Sequence, residues 1–138
     1  MRNFQTIDQV NIDTDTGIIH LSVEDDIGMN PQVSMRREGS YIAISASYGP
    51  LEIALRPRYS EIARALSRLR PVKGLKTTRQ IGTGQAYLGL GLQEGGILVL
   101  RPTIVADATG HFSFNLLLTD KVREAVFEWL PADEADEE

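Results

Sequence analysis

The sequence contains no cysteine, few aromatic residues and no long apolar run. Without cysteine the chain forms no disulfide, offers no thiolate nucleophile and cannot build a zinc site on sulfur ligands. This usage suits a reducing compartment, and the first ten residues, MRNFQTIDQV, lack the apolar core of a signal peptide. No apolar stretch approaches the length needed to span a membrane. We therefore expect a cytoplasmic protein with no membrane association.

Histidine is also scarce, and both histidines, His20 and His111, fall in predicted strands. No paired histidine spacing accompanies them, so we predict a surface or cross-strand role for each and no metal site. Two glycine pairs, Gly82-Thr83-Gly84 and Gly89-Leu90-Gly91, resemble nucleotide-binding glycines. Neither lies between a strand and the start of a helix, so neither predicts a nucleotide site.

The triplet Asp15-Thr16-Gly17 matches the short signature of aspartic proteases, which activate water with paired carboxylates. That signature has apolar residues before it and Ala or Ser after it, whereas Thr14 precedes and Ile18 follows here. The same stretch imitates a calcium loop, but Ile18 stands where the EF-hand requires glycine, and strands flank it instead of helices. We predict a plain hairpin turn with Gly17 at positive φ, no cofactor, no catalytic residue and no enzymatic activity.

The 138 residues, 42% of them hydrophobic, are enough for one domain with its own core. We predict a single domain over residues 1–131 and an acidic, disordered tail over residues 132–138. Two interpretations of the tail stay open. It is a solubilising end, or it recruits partners and competes with nucleic acid for basic surfaces.

The apolar pattern predicts four strands and a helix, twice, which is an α+β fold of two tandem β-β-β-β-α repeats over residues 5–71 and 72–131. Antiparallel sheets are expected, with a helix after each. The first four predicted strands lie around Val10–Ile12 and in GIIHLSVE, GSYIAISAS and PLEIAL, and the next four are LKTTRQIG, QAYLGLGLQ, ILVLRPTIVAD and HFSFNLLL. The first helix begins near Pro57 and ends before Pro71. The second has Thr119 as its N-cap and stops at Pro131.

Positive charge is concentrated between the two repeats. The segment from Arg56 to Gln80 holds eight of the fourteen basic residues and one acid, Glu61, so its net charge is +7. The chain as a whole carries −5, which leaves −12 for the remainder. Clustered Lys and Arg side chains are what a nucleic-acid-binding surface needs, because they displace counterions from phosphates.

Exposed aromatic rings are the second requirement for binding single strands. Lys73, Lys76 and Arg79 flank a strand whose neighbour places Tyr87 among glycines on one side, where bases or another backbone could approach closely. Tyr41 and Tyr48 are further candidates, although strand alternation puts them on opposite faces. The opposite interpretation is an ordinary solvated basic surface, since Arg64 and Arg68 lie where an amphipathic helix exposes charge anyway.

The segments Gly39-Ser40-Tyr41-Ile42-Ala43-Ile44, Thr109-Gly110-His111-Phe112-Ser113-Phe114-Asn115-Leu116 and Thr119-Asp120-Lys121-Val122 carry a likeness to a known family. In order and character they resemble strand and helix segments of the Whirly family of single-stranded DNA-binding proteins. Mitochondrial guide-RNA-binding proteins and the half-size transcriptional coactivator positive cofactor four are related to that family. The resemblance is topological and covers most of residues 5–131.

The resemblance implies a non-enzymatic protein that binds single-stranded DNA or RNA, with a role in transcription or nucleic-acid metabolism, and a homo-oligomer. It also implies that nucleic acid lies on the sheets, which adds Thr78 to the candidate residues. The predicted binding residues are Lys73, Lys76, Thr78, Arg79 and Tyr87. The alternative is a protein-interaction or scaffold module of the same fold that no longer binds nucleic acid. The acidic balance favours it. Phe127 lies off the core stripe of the second helix, so either a partner surface covers it in the expected homo-oligomer or it caps the domain edge.

Overall fold

A computed structural model describes residues 3–24 and 30–130 of the chain. The predicted acidic tail lies outside these residues. Twelve strands and two helices are described, in two sheets of seven and five strands. The elements of the first half are β1 (Gln5–Ile7), β2 (Gln9–Ile12), β3 (Ile19–Ser22), β4 (Pro31–Glu38), β5 (Tyr41–Tyr48), β6 (Leu51–Leu55) and α1 (Tyr59–Ser67). Those of the second half are β7 (Pro71–Val72), β8 (Arg79–Gly82), β9 (Ala86–Gln93), β10 (Leu98–Asp107), β11 (Gly110–Ser113), β12 (Leu116–Leu118) and α2 (Asp120–Trp129).

The five-stranded sheet is a plain antiparallel meander, β2-β3-β4-β5-β6. Alternation fixes its two faces, so that Val33 and Met35 of β4 are buried while Ser34 and Arg36 turn outward. The β2–β3 turn follows the hairpin prediction, because Gly17 has a φ of 77° and the Asp13 carboxylate accepts from the amide of Asp15 at 2.9 Å.

The seven-stranded sheet has the order β1-β12-β10-β9-β7, with β8 also paired to β9 and β11 also paired to β10. Its first strand comes from the other end of the sequence, since β1 pairs in parallel with β12. All the longer pairs, such as β9 with β10, are antiparallel. The sheets therefore contain seven and five strands where the sequence pattern predicted four and four. The prediction had no β1, β4 or β7, and it merged β11 with β12.

Both helices form where amphipathic periodicity predicted them. Tyr59, Ile62 and Leu66 of α1 are buried, and the Thr119 hydroxyl caps α2 by accepting from the Val122 amide at 3.5 Å. α1 ends at Ser67, four residues before the expected boundary at Pro71. None of the helices in the described part of the chain is long and apolar enough to cross a bilayer.

The two sheets face each other and share one hydrophobic core with both helices. Its most completely buried members come from both sheets and α2: Ile7, Ile19, Leu21, Val33, Ile42, Leu90, Leu98, Leu116, Leu118 and Val122. The helices lie at the same end of the five-stranded sheet. The Tyr59 amide donates to Ser40 O in the β4–β5 turn at 2.7 Å, and Trp129 Nε1 donates to Gly17 O in the β2–β3 turn at 2.9 Å.

Candidate nucleic-acid interface

The predicted binding residues Lys73, Lys76 and Thr78 lie in the segment between β7 and β8, which we call the crossing segment (residues 73–78). All three are exposed. The crossing segment passes over the outer face of the seven-stranded sheet, and the Thr78 amide donates to Leu90 O at 2.7 Å as the chain returns to the sheet edge.

Gly89 and Gly91 of β9 have no side chains, and this leaves room for the crossing segment to lie against the sheet. A Cβ atom on Gly91 would lie 1.9 Å from the carbonyl oxygen of Lys76, and one on Gly89 would lie 3.1 Å from the Thr77 side chain. The close backbone approach that these glycines predicted is thus made by the chain's own backbone. The glycine face is consequently covered at Gly89 and Gly91.

A buried arginine fastens the crossing segment to the sheet. Arg101 of β10 is only 8% exposed; its Nε donates to Asn115 Oδ1 at 2.6 Å and its Nη1 to Thr77 Oγ1 at 3.2 Å. Because Arg101 pairs with Gly89 across the β9–β10 ladder, its side chain shares the face of that glycine. Arg101 therefore helps to hold the crossing segment against the sheet and does not belong to an exposed surface.

Tyr87 and Arg79 do not share a surface. Tyr87 is half-buried on the outer face, opposite Thr103 in the β9–β10 ladder. Arg79 is paired with Leu90 and so starts from the other face, and its Nη2 donates to Arg68 O at the end of α1, at 3.5 Å. Of the five predicted residues, Lys73, Lys76 and Thr78 stay together on the crossing segment, while Arg79 joins the arginines of α1.

Arg79 lines a groove of about 240 Å³ together with Arg64 and Arg68 of α1. Helical spacing places Arg58, Glu61, Arg64 and Arg68 along one exposed stripe, because they are three or four residues apart. The groove therefore gathers three guanidinium groups and one carboxylate, that of Glu61.

A second group of arginines surrounds the start of α1, and none of its members was among the predicted binding residues, although Arg56 and Arg58 belong to the predicted basic segment. The guanidinium carbons of Arg56 and Arg58 lie 4.4 and 5.3 Å from the ring centre of Tyr41, and that of Arg37 lies 3.6 Å from the ring of Tyr59. Such distances allow cation–π attraction. Arg36 and Arg37 come from β4, the strand that the sequence pattern missed, so nothing in that pattern indicated that they lie beside the basic segment.

One carboxylate orders this group. Glu38 accepts from Arg56 Nε at 3.0 Å and also pairs with Arg36. The hydrogen bonds from Arg36 and then Arg56 hold the pKa of Glu38 below its ordinary value. We call the whole set the arginine belt, which runs from the face of the five-stranded sheet around α1 to β8: Arg36, Arg37, Arg56, Arg58, Arg64, Arg68 and Arg79.

Beside the arginine belt, the outer face of the five-stranded sheet is built from small side chains. Ser34, Ser45 and Ala54 stand in register across β4, β5 and β6, and Ala43 on the same face pairs with Arg36. They line a shallow apolar depression of about 370 Å³ that has Arg36 and Arg56 at its rim. A floor of this kind accepts a flat ring lying against the sheet.

Tyr41 and Tyr48 lie on opposite faces of β5, as strand alternation predicted, and Tyr48 is the one that faces inward. Tyr48 packs against Phe114 with ring centres 6.3 Å apart and the rings nearly perpendicular. Only Tyr41 of the two is therefore placed beside the arginine belt.

The residues considered for catalysis and metal binding remain apart. His20 Nδ1 lies 3.0 Å from Ser34 Oγ across two strands, and His111 is in β11 of the other sheet. In the hairpin turn, the backbone amide of Asp15 donates to the carboxylate of Asp13. Within residues 3–24 and 30–130, no three histidine, aspartate or glutamate side chains are grouped so that they could hold a metal ion.

Comparison of the chain with protein-family models, with curated protein sequences and with solved structures found no match.

Proposed function

We propose that the protein binds single-stranded nucleic acid without catalysing a reaction, along the arginine belt and the adjoining face of the five-stranded sheet. The observation that supports this proposal is the placement of Arg56 and Arg58 against Tyr41 at the rim of an open, small-residue floor. Guanidinium groups bind phosphates and also stack on bases through their planes, and unpaired bases stack on exposed aromatic rings. Single strands suit the site because only an unpaired base presents its ring face.

The belt supplies the attraction that a polyanion needs despite the acidic balance of the whole chain. Seven guanidiniums lie along it, with Glu38 and Glu61 as the acids described among them. The exposed Lys73 and Lys76 of the crossing segment add positive charge beyond β8. Release of condensed counterions by these groups is the driving force, and it makes binding strongly dependent on salt.

A finer description of the fold belongs to the same proposal. The order of elements, a meander followed by α1 and a second sheet followed by α2, supports two tandem sheet-and-helix repeats over 5–71 and 72–131. It is compatible with the Whirly-like arrangement expected from the sequence. Of the strands that the sequence pattern did not predict, β1 and β7 lie at the two edges of the seven-stranded sheet and can be additions to a repeat, whereas β4 is the central strand of the meander.

The test is the salt dependence of oligonucleotide binding, measured by fluorescence anisotropy with single-stranded DNA and RNA. We expect submicromolar to micromolar dissociation constants at low salt, weakening steeply as salt is raised. The slope of log K against log salt is negative. Replacing both Arg56 and Arg58 by Gln should make it less steep by about 1.4, since each phosphate contact contributes about 0.7 for single strands. Lys121→Gln, which removes one exposed positive charge on α2, is the matched control for each single replacement, Arg56→Gln or Arg58→Gln, whose expected change in slope is about 0.7. Absence of binding to either nucleic acid at low salt would contradict the proposal.

Tyr41 is tested separately because stacking carries little salt dependence. Tyr41→Leu should weaken binding by about 1–3 kcal/mol while leaving the salt slope unchanged. A changed slope with unchanged affinity at low salt would show that Tyr41 orients the arginines and does not stack on a base.

A second candidate function is protein interaction, and it rests on Phe127. This ring is 40% exposed and lines a groove of about 450 Å³ between the helices, together with Leu66, Leu69 and Leu92. A second copy of the chain that covered this groove would give the expected homo-oligomer. Its mass, measured by light scattering, should fall to that of a monomer in Phe127→Asp and stay unchanged in Phe112→Asp, since Phe112 is equally exposed elsewhere. A monomeric wild-type protein would exclude this association.

A further inference from the structure

A separate cavity of about 340 Å³ opens at the end of the sandwich opposite the helices. Its lining includes inward-facing residues of both sheets, among them Gln5 of β1, Tyr48 of β5 and Phe114 between β11 and β12. The lining residues include amide, hydroxyl and imidazole side chains, and none of the described lining residues is Asp, Glu, Lys or Arg. The cavity thus differs in chemistry from the arginine belt, which lies at the other end of β5.

One wall of this cavity is a strand edge. β11 pairs with β10 on one side, with Phe112 opposite Ile104, and the Phe114 amide donates to Pro102 O of β10 at 3.1 Å. Backbone groups alternate in direction along a strand, so those of His111 and Ser113 point away from β10. The backbone of Asn115, two residues after Ser113, also points away from β10, since its carbonyl accepts from the backbone amide of Gln5 in β1 at 2.9 Å.

β1 stops short of this edge. Its register with β12 begins at Gln5 opposite Leu116, and in the described part of the chain no strand pairs with the outer edge of β11. His111 and Ser113 both line the cavity. Each offers a backbone donor and acceptor pointing in one direction, a pair complementary to the N–H and C=O of a cyclic amide.

The aromatic residues supply the other half of the recognition. Phe114 is buried, and its ring contacts Tyr48 edge-on at 6.3 Å and Phe112 at 5.3 Å between ring centres. A flat ring entering the cavity meets aromatic carbon on one side and amide or hydroxyl groups at its edge. The size is that of a small-molecule site, and the lack of a charged lining residue disfavours a phosphate-bearing ligand.

We propose that this cavity binds an uncharged heteroaromatic ring with an amide-type edge, the chemical class of free nucleobases and nucleosides. The ring lies against Phe114 and Tyr48. The N–H and C=O groups of the ligand pair with the backbone edge of β11 and with the side-chain amide of Gln5. This site does not depend on the arginine belt, so loss of oligonucleotide binding leaves it intact.

The experiment is an amide-resolved NMR titration of the full chain with uracil, uridine, adenosine and guanosine. We expect a dissociation constant in the millimolar range or tighter for at least one of uracil, uridine and guanosine, with the largest shifts at Gln5, Tyr48, His111 and Ser113. Adenosine, whose base has no cyclic amide, should bind more weakly. The matched ligand control is 1,3-dimethyluracil, which keeps the ring and loses both N–H donors. Uridine 5′-monophosphate, whose added charge has no partner in the lining, should bind more weakly than uridine.

Gln5→Leu tests the protein side and should weaken binding about tenfold, the effect of one lost hydrogen bond to a buried group. Gln32→Leu, the same change at an exposed position of β4, should bind as wild type, and unchanged spectra elsewhere confirm that both variants fold. Equal binding of dimethyluracil, shifts confined to the arginine belt, or no shifts at all would overturn the proposal. Shifts at these four residues with ribose or a short neutral extended peptide, but not with the bases, would overturn it in favour of that ligand.

Discussion

At the scale of single residues, the most constrained position is a glycine that a sequence pattern could only mark as unusual. Gly91 is buried under the backbone of Lys76, and no side chain fits there. The spacing of glycines in β9 predicted a close approach to one side of the strand. It could not identify the approaching group, because that depends on where the crossing segment runs between β7 and β8.

Gly91→Ala should therefore destabilise the protein by about 1–3 kcal/mol, because the added methyl group forces the crossing segment away from β9. Gly84→Ala is the control, since nothing lies within 4 Å of a Cβ atom there. Urea denaturation gives both free energies of unfolding. Equal stabilities for the two variants would mean that the crossing segment is not held against the sheet.

The carboxylate of Glu38 gives a pH-dependent prediction. Hydrogen bonds from Arg36 and Arg56 lower its pKa in the folded state below the ordinary 4.5. The contribution to stability is then complete above the ordinary pKa and is lost as the pH falls through the lowered value. Glu38→Gln should be less stable than wild type at neutral pH, by a small amount because the group is exposed, and the difference should vanish in strong acid. Urea titrations at both pH values provide the comparison, and a difference that persists in acid would contradict the ion-pair explanation.

At the scale of elements, sequence periodicity predicted the helices well and the strands unevenly. Three-and-four spacing of apolar residues is a strong signal, and Thr119 marked the start of α2 correctly. β4 was missed although Val33 and Met35 alternate with polar residues, because Gly28, Asn30 and Pro31 in the sequence were interpreted as a loop. Pro31 is the first residue of the strand, a position where proline does not interrupt the sheet.

The cap of α2 gives the prediction at this scale. Thr119→Ala should cost about 0.5–2 kcal/mol, since the Val122 amide loses the hydroxyl that accepts from it. Thr14→Ala, at an exposed turn position, should leave the free energy of unfolding nearly unchanged. Thermal and urea denaturation provide the measurement, and equal effects of the two changes would show that the cap does not stabilise the helix.

At the scale of the whole molecule, the arrangement that brings the arginine belt together could not be predicted from the sequence. Arg36 is twenty residues from Arg56, and the two meet only because β4, β5 and β6 are neighbours in the meander. The same sandwich divides Arg79 from Tyr87, which are close in sequence but start from opposite faces of the sheet. Charge content was readable from the sequence, whereas its distribution over surfaces required the pairing of strands.

Because both sheets contribute to one core, we expect a single cooperative unfolding transition. Leu100→Ala in β10 should lower the free energy of unfolding by about 2–5 kcal/mol. Both sheets should still unfold in one transition, at milder denaturing conditions than in the wild type. Fluorescence of Trp129, the chain's single tryptophan, and far-ultraviolet circular dichroism should follow coincident curves. Separate transitions would mean that the two sheets unfold independently.

The parallel pairing of β1 with β12 also bears on synthesis in the cell. Gln5–Ile7 is made more than a hundred residues before its partner Leu116–Leu118. The meander β2–β6 can form while translation continues, but β1 must wait for the last strand of its sheet. The nascent chain therefore carries an unsatisfied strand until Leu116–Leu118 has been made, and closure of this long loop is an expected late step of folding.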